Sequence, residues 1–248
     1  MKTFSIWLKI ELFRFLREPI TLFFTLIFPL LLIFIFGDSF GSEVSSEGFT
    51  YNNSLVAIDL TFLIANFTLM GVGNDLANQK ETGVEARMEL LPISSFFRTV
   101  VQSIAYLILL FTSLVLLCIY VFWRYKDVQF RGNILLFLIF MVIGYFFFVN
   151  LTKLIISFHL SARALQLISS TVFFVMLFCS GIVIQKESMP TVLQSWVEWS
   201  PMYVLYKTLE NVWNNTLVQY QYFKCCIYML LLTAICYAIM TVMRSHRK

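Results

Sequence analysis

Side chains able to do chemistry are scarce in this sequence, and a dense group of five charged ones stands in one stretch, NQKETGVEARMELLPIS, from Asn78 to Ser94. It sets Lys80 and Arg87 beside Glu81, Glu85 and Glu89. Thr82 and Glu85 stand at capping-box spacing, in which a hydroxyl and a carboxylate each satisfy a backbone amide at a helix start, so a helix is expected to begin at Thr82. Gly83 lets another chain come close. Met88, Leu90 and Leu91 give the helix an apolar side, Pro92 ends it, and Ser94 and Ser95 can cap the helix that follows. The chemistry on offer is recognition: charges keep the helix out of hydrocarbon while its apolar side is presented to a partner. A solvated linker would need neither the capping box nor the apolar side.

Other candidates are few. Asp59 is the only acidic residue deep in an apolar run. Asn66 follows seven residues later and Gly73 continues that helix side. Polar groups in hydrocarbon usually face protein or water, so Asp59 and Asn66 mark either a translocation path, a subunit contact, or hydrogen bonding between helices of one chain. Ser169, Ser170 and Thr171 form a hydroxyl cluster suited to close helix packing. Lys153 stands where it can snorkel to a surface, and His159 is alone, which is not a metal site. The five cysteines are odd in number and lack metal-ligand spacing, so they read as buried thiols. No GxxxxGK[ST] phosphate loop is present. The chain is therefore expected to hold no catalytic residue, no metal and no cofactor. A membrane-embedded enzyme would need clustered His, Asp, Glu or Ser at motif spacing, and an ion-driven transporter would show inverted repeats and paired broken helices; neither pattern is visible.

The elements that must position these residues are dictated by composition. Of 248 residues, 59% are hydrophobic and only 13% charged, where a soluble domain carries about a quarter. Mean hydropathy is +0.81. Runs of about 20 apolar residues match the roughly 30 Å hydrocarbon layer. They are continuous, which excludes a β-barrel's alternation. The expected fold is an all-α polytopic membrane protein forming one domain, with six transmembrane helices at 20–37, 55–76, 97–123, 133–158, 163–184 and 222–243. Residues 1–18 read as an amphipathic interface helix: Phe4, Leu8, Leu12 and Phe15 make an apolar stripe, and Lys9, Arg14 and Arg17 lie off it, near lipid phosphates. Pro19 marks the elbow into the membrane. The net charge of +4 biases orientation and does not point to nucleic acid.

With the N-terminus inside, twelve Lys and Arg fall on inner segments and six on outer ones, as orientation by positive charge requires. The loop RYKDVQFRG, carrying three of the six, lands outside. The last outer segment, 186–215, is too long for a simple connection. Ser200 before Pro201 predicts a helix start there, and two short helices that re-enter the outer leaflet are expected.

These features together resemble the permease subunits of ABC type-2 exporters. That family carries, between its second and third spans, Glu-x-Gly-Thr-Leu-Glu-x-Leu-Leu-x-Thr-Pro-Val-Ser. ETGVEARMELLPIS places Glu81, Gly83, Pro92 and Ser94 in register, with Val84, Glu85 and Ala86 where the family has Thr-Leu-Glu. SMPTVLQSWVEWSPMYVLYKTLENV is similar to the family's Leu-Pro, apolar run, Asn-Pro-Leu-x-Tyr pattern, through Pro190, Pro201 and Tyr203. The resemblance implies a coupling helix over residues 81–91, within a loop at 78–95, seated in a cleft of a cytosolic ATPase. Glu81, Thr82, Gly83, Glu85, Arg87, Met88 and Pro92 would make that contact. It implies two ATPase subunits holding ATP and Mg, a second permease copy or paralogue, and a seam or path near Asp59, Asn66, Ser169 and Thr171. It also implies a bacterial plasma membrane, cytoplasmic termini, and outward movement of a hydrophobic or amphiphilic cargo such as a drug, peptide or lipid. A lipid-linked polysaccharide is the alternative cargo.

Overall fold

Every regular element in the computed structural model is helical, among the residues it describes: 2–17, 19–40, 51–90, 94–158, 160–183, 189–216 and 219–245. Helix α1 (Lys2–Leu16) is followed by α2 (Pro19–Leu22), a π-helical turn (Phe23–Ile27) and α3 (Phe28–Phe40). Pro29 accounts for that turn. It lacks an amide hydrogen and its ring crowds the carbonyl of Thr25, so the helix widens there instead of breaking. Gly37 does not end the segment as its place in the sequence predicts. A Cβ there would lie 2.2 Å from the Tyr125 hydroxyl, so Gly37 admits that ring while α3 runs on to Phe40.

The central element is one continuous helix from Tyr51 to Glu81. It comprises α4 (Tyr51–Asn66), a second π-helical turn (Phe67–Val72) and α5 (Gly73–Glu81). Neighbours enclose it: α3, α7, α8, α9 and α11 all pack on it. After α6 (Val84–Glu89), α7 (Ser95–Arg124) and α8 (Ile134–Ser157) are long and apolar, and α9 (Ala162–Phe178) is shorter. Side chains of the preceding residues start all three. Ser94 accepts from Phe97 N, Asn133 from Leu135 N, and Ser161 from Ala164 N. Helices α10 (Thr191–Val197), α11 (Pro201–Asn214) and α12 (Gln219–Ser245) complete the chain.

Four helices are long and apolar enough to cross a membrane, among the described residues: Tyr51–Glu81, Phe96–Arg124, Ile134–Ser157 and Lys224–Val242. Thr25–Ser39 and Ala162–Phe178 are apolar but shorter. The chain is a multi-pass helical membrane protein.

Helix α11 is wedged against α4, α8 and α12. Trp213 is fully buried among Phe122, Phe130 and Phe137. Two glycines permit this seat. A Cβ at Gly132 would fall 1.6 Å from the Val212 carbonyl oxygen, and one at Gly144 would fall 2.5 Å from Leu205. The first obstacle is backbone and cannot turn aside. Gly132→Ala is expected to cost about 2 kcal/mol, as overpacking of a filled core does. The midpoint of thermal unfolding in detergent measures it; an unchanged midpoint would contradict the close approach.

Candidate functional site

The charged stretch is displayed at one end of the central helix. Thr82 closes α5 and does not open α6, which corrects the capping-box expectation: its amide and its Oγ1 both return to the Asn78 carbonyl, at 2.9 and 2.7 Å. Gly83 follows with φ 68°. A left-handed residue just past a helix is the usual way to turn the chain out, and glycine adopts it without strain. Helix α6 then starts at once, with Arg87 N donating to the Gly83 carbonyl at 3.1 Å. Thr-Gly here is a helix stop followed by a restart.

Among the recognition candidates, Glu81, Thr82 and Arg87 are exposed and Met88 is half-buried. Glu85 lies within α6, and Leu90, just beyond it, is 86% exposed. A Cβ on Gly83 would meet nothing within 4 Å. The stretch is therefore a small mixed polar and apolar surface carried on a glycine elbow. Pro92 and Leu91 lie outside the described residues, as does His159.

Behind this surface, α5 is fastened on two sides. Lys80 Nζ donates to the Ile156 carbonyl at 2.8 Å and to the Phe158 carbonyl at 3.2 Å. The last carbonyls of a helix have no partner within it and carry partial negative charge, so an ammonium there satisfies both needs. On the other side stands a polar node. Asp75 Oδ2 accepts from Arg14 of α1 at 2.6 Å, from Tyr106 of α7 at 3.1 Å, and from Gln79 at 3.0 Å. Glu11 Oε2 lies 2.8 Å from the same Arg14 nitrogen. Burial pushes the Glu11 carboxyl above its ordinary range; Arg14 opposes this and Asp75 adds to it.

Arg14 is thus not at lipid phosphates, as the interface-helix reading expects. The stripe of Phe4, Leu8, Leu12 and Phe15 turns toward α7, with Phe15 edge-on to Tyr106 at 5.0 Å and Phe4 edge-on to Phe97 at 6.3 Å. That rotation brings Arg14 inward. Lys9 and Arg17 stay exposed, beside a second apolar face of Ile6, Ile10, Phe13 and Leu16, each more than half exposed.

The interior candidates separate. Asp59 and Asn66 are both buried inside this one chain, and Asp59 Oδ2 has no hydrogen-bond partner among the described residues. Ser169 is buried at the crossing of α5, α8 and α9, where a Cβ on Gly73 would meet Thr152 at 3.4 Å and Ser169 at 3.6 Å. Thr171 points the other way: it is exposed, and its hydroxyl returns to the Leu167 carbonyl of its own helix at 2.8 Å. The hydroxyl cluster is not one site.

Sequence reasoning overlooked Asp75, Glu11, Tyr106 and the task of Lys80. One signal was available. Asp75 stands at the edge of an apolar run, where a carboxylate requires a partner, and Glu11 and Arg14 are three apart on one helix. Nothing local indicates that the two pairs meet.

A family model described as ABC-2 type transporter matches residues 2–213. No curated protein matches the sequence.

Lys80→Met leaves the last α8 carbonyls without their cation, a loss of about 0.3–1 kcal/mol for such an end contact. Amide hydrogen exchange over residues 153–158 should quicken, with α12 unaffected. Unchanged exchange would mean that the lysine does not hold this end.

Proposed function

The chain belongs to the ABC-2 type transporter family, and from that premise we propose that it is the transmembrane subunit of an exporter driven by separate cytosolic ATPases. The carrying observation is the elbow at Gly83: it breaks the central helix and sets α6 out on α5, with Arg87 and Leu90 exposed. Helix α6 is the coupling helix in this reading. It seats in an ATPase cleft, through Glu81, Thr82, Gly83, Glu85, Arg87, Met88 and Pro92. ATP binding closes the ATPase pair, draws two coupling helices together and rearranges two permease copies or paralogues. ATP and Mg belong to the partner.

Six crossings are proposed. The four long helices are joined by Pro19–Phe40, whose π-helical turn interrupts one apolar segment, and by α9 with the turn after it. Both termini and α6 then lie on the cytoplasmic side of a bacterial plasma membrane, and α10 and α11 lie at the outer leaflet. In support, α11 is buried against the opposite end of the central helix from α6, where Ser54 donates to Glu210 at 2.5 Å. Trp196 and Trp199, each more than 70% exposed, are of the type that collects at a membrane–water boundary. The segments between spans are too short to form an outer domain, which favours a hydrophobic or amphiphilic cargo taken from the bilayer.

The test is co-purification. The full chain should bring down an ATPase bearing a phosphate loop. Gly83→Val strains a left-handed backbone by about 1–3 kcal/mol and should reduce ATPase recovery with membrane insertion unchanged. If recovery and ATP-driven transport survive both Gly83→Val and Glu81→Ala, the coupling role is wrong.

A further inference from the structure

At the inner end of the central helix, one carboxylate ties three helices together. Asp75 receives Arg14 from α1 and Tyr106 from α7, and it stands six residues before Glu81, roughly 9 Å along the axis. Glu11 sets a second carboxylate on the same guanidinium nitrogen, Nη2. One cationic nitrogen is held between two acids, directly behind the elbow that carries α6.

This arrangement is a poor way to glue α1 in place. Desolvation of buried charges cancels much of their attraction, and α1 is already attached by apolar contacts. Phe15 is 2% exposed, edge-on to Tyr106 and tilted 5.9 Å from Phe67, and Phe4 meets Phe97. What aromatic packing lacks is a directed contact: ring pairs tolerate several arrangements, whereas a 2.6 Å charge-assisted hydrogen bond is lost once its two atoms part. Its place is also specific. Lys80 holds the opposite flank of α5 to the end of α8, so α5 cannot shift without pulling on α8 through Lys80 and on α1 and α7 through Asp75.

We propose that Arg14, held by Asp75 and Glu11, is the positioning residue that passes motion of α6 and α5 to the interface helix α1, making α1 and α7 travel with the coupling helix. This rests on the reading of α6 as the ATPase contact. Lys9 and Arg17, exposed on the other faces of α1, take no part in it.

The complex of full chain and ATPase, in nanodiscs, tests this by hydrogen–deuterium exchange with and without ATP plus vanadate. In the wild type, uptake should change over residues 84–89 and also over residues 2–16. In Arg14→Met, and separately in Asp75→Asn, residues 84–89 should still respond, while most of the ATP-dependent difference over 2–16 should be lost. Arg14→Lys should keep most of the response, because both acids contact one nitrogen that an ammonium can replace. A merely space-filling role would make Met and Lys equivalent. Asp75→Asn keeps the shape of the node and supplies the test should Arg14→Met fail to insert. An undiminished α1 response in Arg14→Met or Asp75→Asn would overturn the proposal. So would a silent α1 in a wild-type complex whose α6 responds. A silent α6 in the wild type would instead strike the coupling assignment beneath it.

Discussion

One constraint organises the molecule: the helix from Tyr51 to Glu81 is enclosed by protein, so most of its polar groups meet partners elsewhere in the chain, while Asp59 Oδ2 has none among the described residues. Away from water an unmet polar group costs several kcal/mol. The partners occur at three levels. At one end Asn52 donates to Asp127 at 3.1 Å, Asn53 accepts from Gln129 N, and Ser54 donates to Glu210. Midway, the Thr68 carbonyl accepts from Thr152 of α8 at 3.1 Å. At the other end stand the Asp75 node and the Lys80 clasp. A rod pinned at three levels cannot move at one end without involving α1, α7, α8 and α11.

Magnitudes divide the labour between packing and polarity. Hydrogen bonds between membrane helices average about 0.6 kcal/mol, and in lipid, which is as apolar as the side chains themselves, helices are held chiefly by close van der Waals packing where small residues let them approach. The seat of α11, with Trp213 among three phenylalanine rings and glycines opposite it, therefore carries stability. The polar pairs carry register. They fix which residue faces which. The π-helical turn at Phe67–Val72 belongs to this logic, because it brings the Thr68 carbonyl to Thr152 and Gly73 to the crossing with α8 and α9.

Much of the architecture was legible because membrane helices announce themselves by long apolar runs, and starts such as Ser94 and Ser200–Pro201 are written in a few adjacent residues. The charged stretch was legible as a displayed helix for the same reason. Its start was not. Thr82 and Glu85 fit a capping box, but Thr-Gly equally fits a left-handed helix end, and the length of the preceding helix decides between them. Gly37 failed for a related reason: the residue that needs the space, Tyr125, is 88 positions away. Arg14 failed because an amphipathic pattern gives a stripe but not what covers it. On α1 both faces are apolar, and the protein took the one that carries Arg14 to Asp75. The separation of Ser169 from Thr171 follows simply from helical geometry, since neighbouring hydroxyls point to different sides.

Everything functional requires that α6 and α11, at opposite ends of the central helix, lie on opposite sides of the membrane, with α6 in the cytoplasm. Single cysteines at Arg87 and at Trp196, in a chain whose five native cysteines are replaced, can be reacted with a membrane-impermeant maleimide on intact cells. The account predicts that Trp196→Cys labels at once and Arg87→Cys only after permeabilisation. Labelling of Arg87→Cys in sealed cells would place α6 beyond the reach of any cytosolic ATPase and contradict the account at its root.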